Sequence, residues 1–422
     1  MGETHSFAPL LIVVTLACVV PLLLAPLRGR FSIPIVVGEI VAGIIVGRSG
    51  FGWVVAENGA LVLLKELGFV FLMFLAGMEV DIRAVRRSDP QQVSKWSPLS
   101  MAIVNFAATL AVASMFAWAL TSIGVATNPW LMTLILSTTA LGVVVSILKE
   151  SGLSQTLFGQ TILLSTVVAD FVTMFLISLI VAFISRGLTG EILLVFLLFV
   201  AFFVAARLGT ALSRIKPLQI VIEELSHATA QIKIRAAFST LLIFVVLAEK
   251  LGIELIVGAF LAGIIVTLLR TPDDRELTGH LEAIGFGFLI PIFFIMVGVD
   301  FNLPALLSSQ EALASVPLLL LAAVVVKITA ASVFRLNHSW REVLAAGVLM
   351  CPRLSLIIAA AAIAKKLGVI DEGVDAAIIL IAIVTVTAAP LAFLKIFPAS
   401  QRNVESAAVR SRDILTNREE PV

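Results

Sequence analysis

Apolar runs of 15 to 30 residues follow one another from residue 7 to residue 397, parted by short stretches that carry most of the charge. A helix of about 20 apolar residues crosses the hydrocarbon of a bilayer. Inside lipid only a helix or a closed barrel satisfies its own backbone. Barrel strands alternate apolar and polar residues, and these runs do not. The 422 residues are 60% hydrophobic and 14% charged, where soluble chains hold about 45–50% and about 25%. The chain therefore reads as an all-α polytopic membrane protein. Thirteen spans are expected, near residues 7–27, 33–47, 60–79, 98–122, 129–149, 155–184, 189–213, 232–250, 252–270, 281–298, 312–335, 341–365 and 373–397, with a short polar tail over 398–422.

The first run lacks a basic leader and reads as a retained span. A net charge of +1 gives no sign of a nucleic-acid partner, and Cys18 and Cys351 lack the spacing of a disulfide framework or a metal site. With the N-terminus outside, 20 of the 29 basic residues fall in the inner loops and tail and 5 on the outer side. That bias sets the orientation and puts the C-terminus in the cytoplasm. The inner stretch 213–231, with Glu223, Glu224 and His227, reads as a linker lying along the membrane surface.

The chain also repeats itself. Val37-Gly38-Glu39-Ile40-Val41-Ala42-Gly43 aligns with Val257-Gly258-Ala259-Phe260-Leu261-Ala262-Gly263, and Gly77-Met78-Glu79 aligns with Gly298-Val299-Asp300. Seven spans separate the members of each pair, so the halves insert with opposite orientation. Inverted repeats mark secondary transporters, whose sites lie at the midplane on interrupted helices. The repeat pairs span 5 with span 12. Span 5 holds Ser137-Thr138-Thr139-Ala140-Leu141-Gly142, and span 12 holds Cys351-Pro352-Arg353-Leu354-Ser355. Proline removes a backbone donor and breaks a helix. Two crossed, discontinuous helices are expected there.

Four ionisable residues stand near mid-depth: Glu39, Asp170, Lys327 and Arg353. An ionisable group at bilayer depth is costly, about 3 kcal/mol or more, and marks function. Asp170 is the expected seat of a proton or a monovalent metal cation. Thr166 lies one turn before it and Thr173 one turn after, on the same helical face. Thr138 and Thr139 add hydroxyls from the broken span. Oxygen ligands of this kind suit a hard cation, and no histidine or cysteine joins them as a transition metal would want. Lys327, Arg353 and Glu39 are read as supporting charges. Arginine stays charged and does not shuttle protons.

In this order and spacing, Gly38 to Gly43, Phe71 to Glu79, Ser137 to Gly142, Asp170, Pro291-Ile292-Phe293-Phe294, Lys327 and Pro352-Arg353 resemble the monovalent cation:proton antiporters. The likeness is to their bacterial branch, with its glutathione-gated potassium efflux proteins and sodium/proton exchangers. The resemblance implies a membrane domain over 1–397. A scaffold would carry spans 1–3 and 7–10, and a mobile core spans 4–6 and 11–13. It implies a homodimer in a bacterial inner membrane, Na⁺ or K⁺ and H⁺ as the transported ions, no cofactor and no enzymatic activity. Carried over, Asp170 matches the essential carboxylate, Thr166 a ligand hydroxyl and Lys327 a basic residue supporting the site. Two places depart from the pattern. Ala169 stands where relatives place Asn, Gln or Asp, and Leu354-Ser355 where many place Gly-Glu.

Burial favours the neutral acid and a neighbouring base favours the carboxylate, so one buried aspartate beside a base can take either a proton or a cation. A single carboxylate predicts one-for-one, electroneutral exchange. The main competing reading is a sodium-coupled organic-anion symporter, which would need more polar residues lining its cavity. An intramembrane aspartyl protease would need a second facing carboxylate.

Overall fold

A computed structural model describes residues 7–25, 35–54, 59–78, 96–154, 156–186, 192–212, 231–251, 255–269, 275–308 and 310–397. The tail, the linker over 213–230 and the repeat residue Glu79 lie outside them.

In chain order the helices are α1 (Ala8–Leu24), α2 (Ile35–Val46), α3 (Gly59–Met78), α4 (Pro98–Ser122), α5 (Pro129–Ser137) and α6 (Leu141–Glu150). Then come α7 (Leu157–Arg186), α8 (Ile192–Leu212), α9 (Ile232–Lys250), α10 (Leu255–Leu269), α11 (Arg275–Ile284) and α12 (Ile290–Asp300). The last are α13 (Leu303–Ser308), α14 (Gln310–Ala331), α15 (Trp340–Leu349), α16 (Ser355–Lys366) and α17 (Glu372–Ile396). A π-helical turn, Gly285–Leu289, joins α11 to α12, and a 3-10 segment, Ser332–Leu336, extends α14. Among the described residues, six stretches are long and apolar enough to cross a membrane: Gly59–Met78, Pro98–Ser122, Leu157–Val181, Glu276–Ser308, Gln310–Leu336 and Glu372–Ile396. The protein is an all-helical integral membrane protein.

The chain divides into two compact units. The first comprises residues 1–81 and 178–302. Its helices approach closely because glycines remove side chains from the contacts. A Cβ on Gly43 of α2 would be driven into the Ile295 carbonyl of α12, and one on Gly298 of α12 into the Ile40 carbonyl of α2. The same happens between α3 and α10, where Gly77 meets the Phe260 carbonyl and Gly263 the Phe74 carbonyl. At one end of this unit Lys65 pairs with Asp300, Arg48 donates to the Asp300 carbonyl and Ser49 to the Phe301 carbonyl. Beside this clasp Val13, Val46, Val54, Leu61, Ile292, Ile295, Met296 and Val299 form an apolar core.

The second unit comprises residues 82–177 and 303–422. Several of its helices, α5, α15 and α17 among them, begin on side-chain caps that satisfy free N–H groups. The Asn128 carbonyl oxygen accepts from Trp130 and Leu131 at the start of α5. Ser339 and Glu342 form a reciprocal capping box on α15, and Asp371 accepts from Val374 on α17. A cluster that includes Met101, Leu148, Phe158, Phe334, Leu349, Phe393 and Phe397 ties α4, α6, α7, α15 and α17 together. Spans 5 and 12 are each split, into halves of 9 and 10 residues and of 10 and 12. Each half rises about 14–18 Å at 1.5 Å per residue, about half the hydrocarbon thickness, which brings both breaks to mid-depth.

Candidate cation and proton site

The site grows from the end of α5. A helix C-terminus leaves carbonyls without partners, and at mid-membrane depth no bulk water supplies them. The hydroxyl-rich run meets that need locally. Ser137 Oγ donates to the Leu134 carbonyl at 2.8 Å and Thr138 Oγ1 to the Ile135 carbonyl at 2.9 Å. Thr138 itself is extended, with φ −55° and ψ 156°, which ends the helix. The Ser137 carbonyl receives the Lys327 ammonium from α14 at 2.7 Å. Lys327 also donates to Thr139 Oγ1 at 2.7 Å. A cation at the negative end of a half-helix is the favourable placement.

The second break is built differently. α15 stops at Leu349, before the proline, and Cys351 Sγ turns back to the Gly347 carbonyl at 3.2 Å. The residue ahead of a proline is pushed out of the helical region, so the helix ends early. The Pro352 carbonyl then accepts from the Ala140 backbone N–H at 2.8 Å. The two interrupted helices thus touch at their breaks, and each supplies a backbone partner the other needs. Arg353 is buried between the halves of span 12 and donates from Nη2 to the Ala323 carbonyl at 3.2 Å. Ala323 lies one turn before Lys327 on α14, so both buried cations are anchored to one unbroken helix.

Asp170 is buried near the centre of α7, and its carboxylate lies within electrostatic range of the Lys327 ammonium. Thr166 Oγ1 donates to the Ile162 carbonyl at 2.9 Å. With that proton given to its own helix, its lone pairs remain as acceptors, and the same holds for Thr138. Three residues after Asp170, Thr173 reaches Ser137, with their hydroxyl oxygens 3.3 Å apart. Asp170, Thr166, Thr138, Thr139, Lys327 and Arg353 all belong to the second unit. Glu39, buried on α2, belongs to the first.

Thr173 is expected from its spacing as a hydroxyl flanking Asp170, whereas Ser137 is not expected at the site. The one available signal for Thr173 is its position on the face of Asp170. Ser137 is only the first hydroxyl of a run of three.

A family model described as "Sodium/hydrogen exchanger, transmembrane" matches residues 14–395. The chain belongs to the sodium/hydrogen exchanger family. It is a transporter family, not an enzyme family. Among similar proteins, YjbQ of Bacillus subtilis (strain 168) is 37% identical over 409 residues, covering 96% of this chain and 65% of YjbQ. The chain therefore spans about two thirds of that relative's length. The Na(+)/H(+) antiporter of Enterococcus hirae is 31% identical over 65% of this chain and 69% of its own length. The Na(+)/H(+)-K(+) antiporter GerN of Bacillus cereus is 26% identical over 65% of this chain and 67% of its own. The solved structure of the sodium proton antiporter MjNhaP1 from Methanocaldococcus jannaschii at pH 8 shares the fold. It has a TM-score of 0.60 and 14% identity, covering 94% of this chain and 99% of that one.

Proposed function

We propose that this member of the sodium/hydrogen exchanger family exchanges Na⁺ and/or K⁺ for H⁺ across a membrane, with Asp170 as the shared seat. One observation carries this reading. A mid-helix carboxylate stands within electrostatic reach of a lysine that caps a broken helix, in a unit whose nearby hydroxyls have already given their protons away. Asp170, Thr166, Thr138 and Thr139 supply hard oxygens for a monovalent cation. Lys327 and Arg353 hold the breaks, and Glu39 is a supporting charge of the first unit. The names of the Enterococcus hirae and Bacillus cereus relatives support Na⁺, and that of GerN supports K⁺ as well.

Exchange follows from competition. Proton and cation neutralise the same carboxylate, and only the neutralised site crosses the low-dielectric interior cheaply. Return of an empty, charged site is thereby suppressed, which couples the two fluxes. With Ala169 beside it, Asp170 acts as a single carboxylate, so exchange is one-for-one and electroneutral. The thirteen spans form an inverted repeat. The reciprocal glycine pairs support it, since Gly43 and its repeat mate Gly263 each face a member of the other repeated pair, Gly298 and Gly77. The second unit is the carrier and the first the scaffold of a homodimer in a bacterial inner membrane, with the N-terminus outside.

The test is proton release from reconstituted vesicles on addition of Na⁺, K⁺ or Li⁺ in turn. Asp170→Asn abolishes the response while the protein still folds and inserts. Substantial cation-driven proton flux in that variant would falsify the mechanism. A rate that follows an imposed membrane potential would refute electroneutrality alone.

A further inference from the structure

The hydroxyls of α7 do not all behave alike. Thr161, Ser165 and Thr166 each donate to the carbonyl four residues back, Leu157, Thr161 and Ile162, at 2.8, 2.7 and 2.9 Å. This is the usual fate of a hydroxyl inside an apolar helix. Thr173 is fully buried on the same helix and makes no such bond; it turns outward to Ser137 Oγ of α5. Ser137 has already given its proton to the Leu134 carbonyl. Thr173 is therefore the donor of the bridge, and Ser137 Oγ is the acceptor. Ser137 is also the residue whose carbonyl Lys327 holds. One residue at the broken end of α5 thus joins the lysine of α14 to the aspartate helix. The attachment point on α7 lies about 4.5 Å along the axis from Asp170.

We propose that Thr173 is a positioning residue that fixes the distance between Asp170 and the broken end of α5, and so sets how tightly the cation is held. The inference rests on the reading of Asp170 as the exchange seat. Lys327 bonds to the Ser137 carbonyl and to Thr139, and the Thr173 bridge adds a direct link from α7 to the same break. The 3.3 Å bridge is long for an O–H···O bond, so a bound cation can tighten it without breaking any helix.

The test uses the full chain in vesicles and reads the apparent KM for Na⁺ and the maximal rate separately. Thr173→Val keeps the volume and removes the donor. It should raise the apparent KM about fivefold, the worth of one buried hydrogen bond, while the maximal rate changes less than the KM does. Thr173→Ser restores the donor and should restore the KM. Ser137→Ala should raise KM as well, and the double variant should be no worse than the worse single one, since both remove one bridge. If Thr173→Val does not fold, Thr173→Ala is read in its place. An unchanged KM, a loss confined to the maximal rate, or failure of serine to rescue would overturn the role of Thr173. Asp170→Asn in the same series separates the two claims. If it still exchanges, the seat itself is wrong; if it is inactive while Thr173→Val matches wild type, only the positioning role is wrong.

Discussion

The two units hold their helices together by different means. In the first, glycines let backbones meet, the helices run unbroken through their contacts, and the ionic groups Lys65, Arg48 and Asp300 gather at one end. In the second, two helices are interrupted, and side chains are spent at the breaks: Ser137, Thr138 and Lys327 each cap a carbonyl at the end of α5, and Arg353 ties span 12 to the Ala323 carbonyl of α14. Close packing resists deformation, whereas a set of separate polar bonds can be exchanged one at a time. A unit built the first way suits a frame. A unit built the second way can trade a bond for a bound ion.

Substitutions aimed at each unit can break this contrast. The largest effect is expected in the first unit. Gly43→Leu forces a side chain into the α12 backbone, with a cost of about 3 kcal/mol or more. It should appear as loss of folded, monodisperse protein on gel filtration, and a well-folded variant with altered ion affinity would overturn the division of labour. Next comes Lys327→Met, which strips the Ser137 carbonyl of its partner and leaves Asp170 without a neighbouring ammonium. About 2–3 kcal/mol of stability should go, along with most of the exchange. Thermal unfolding and vesicle flux check the two losses separately. Thr166→Val should be milder, raising the apparent KM for Na⁺ about fivefold through one lost ligand oxygen; equal KM would remove Thr166 from the site. The smallest effect is that of the Lys65–Asp300 pair, whose side chains are each about a third exposed. A double-mutant cycle of Lys65→Met with Asp300→Asn should give a coupling below about 1 kcal/mol and no change in ion affinity.

Much of this was legible in the chain, for local reasons. Asp170 stood out because charge in an apolar run is costly wherever the run ends up. Pro352 announced a break because a missing N–H needs no tertiary partner to disrupt a helix. The break it makes is the stretch from Met350 to Leu354, between α15 and α16, with the proline at its centre. Thr138 and Thr166 are expected from the sequence as oxygen ligands, and both bond back to their own helices, whereas Thr173, the same residue type on α7, reaches a neighbouring helix. A hydroxyl's choice between the carbonyl one turn back and a neighbouring helix depends on what lies opposite.

The linear order of residues determined the membrane class, the depth of the acid, the bias of basic loops and the two break points. Each of these is a transaction between a short segment and its solvent. Tertiary structure alone decided that Lys327 holds the end of α5 across 190 residues, that Thr173 bridges 36 residues to Ser137, and that Ala140 meets the Pro352 carbonyl. Those contacts depend on which helices are brought side by side. In lipid that choice falls to packing and hydrogen bonding between helices, not to the apolar runs, which are all equally content in the bilayer.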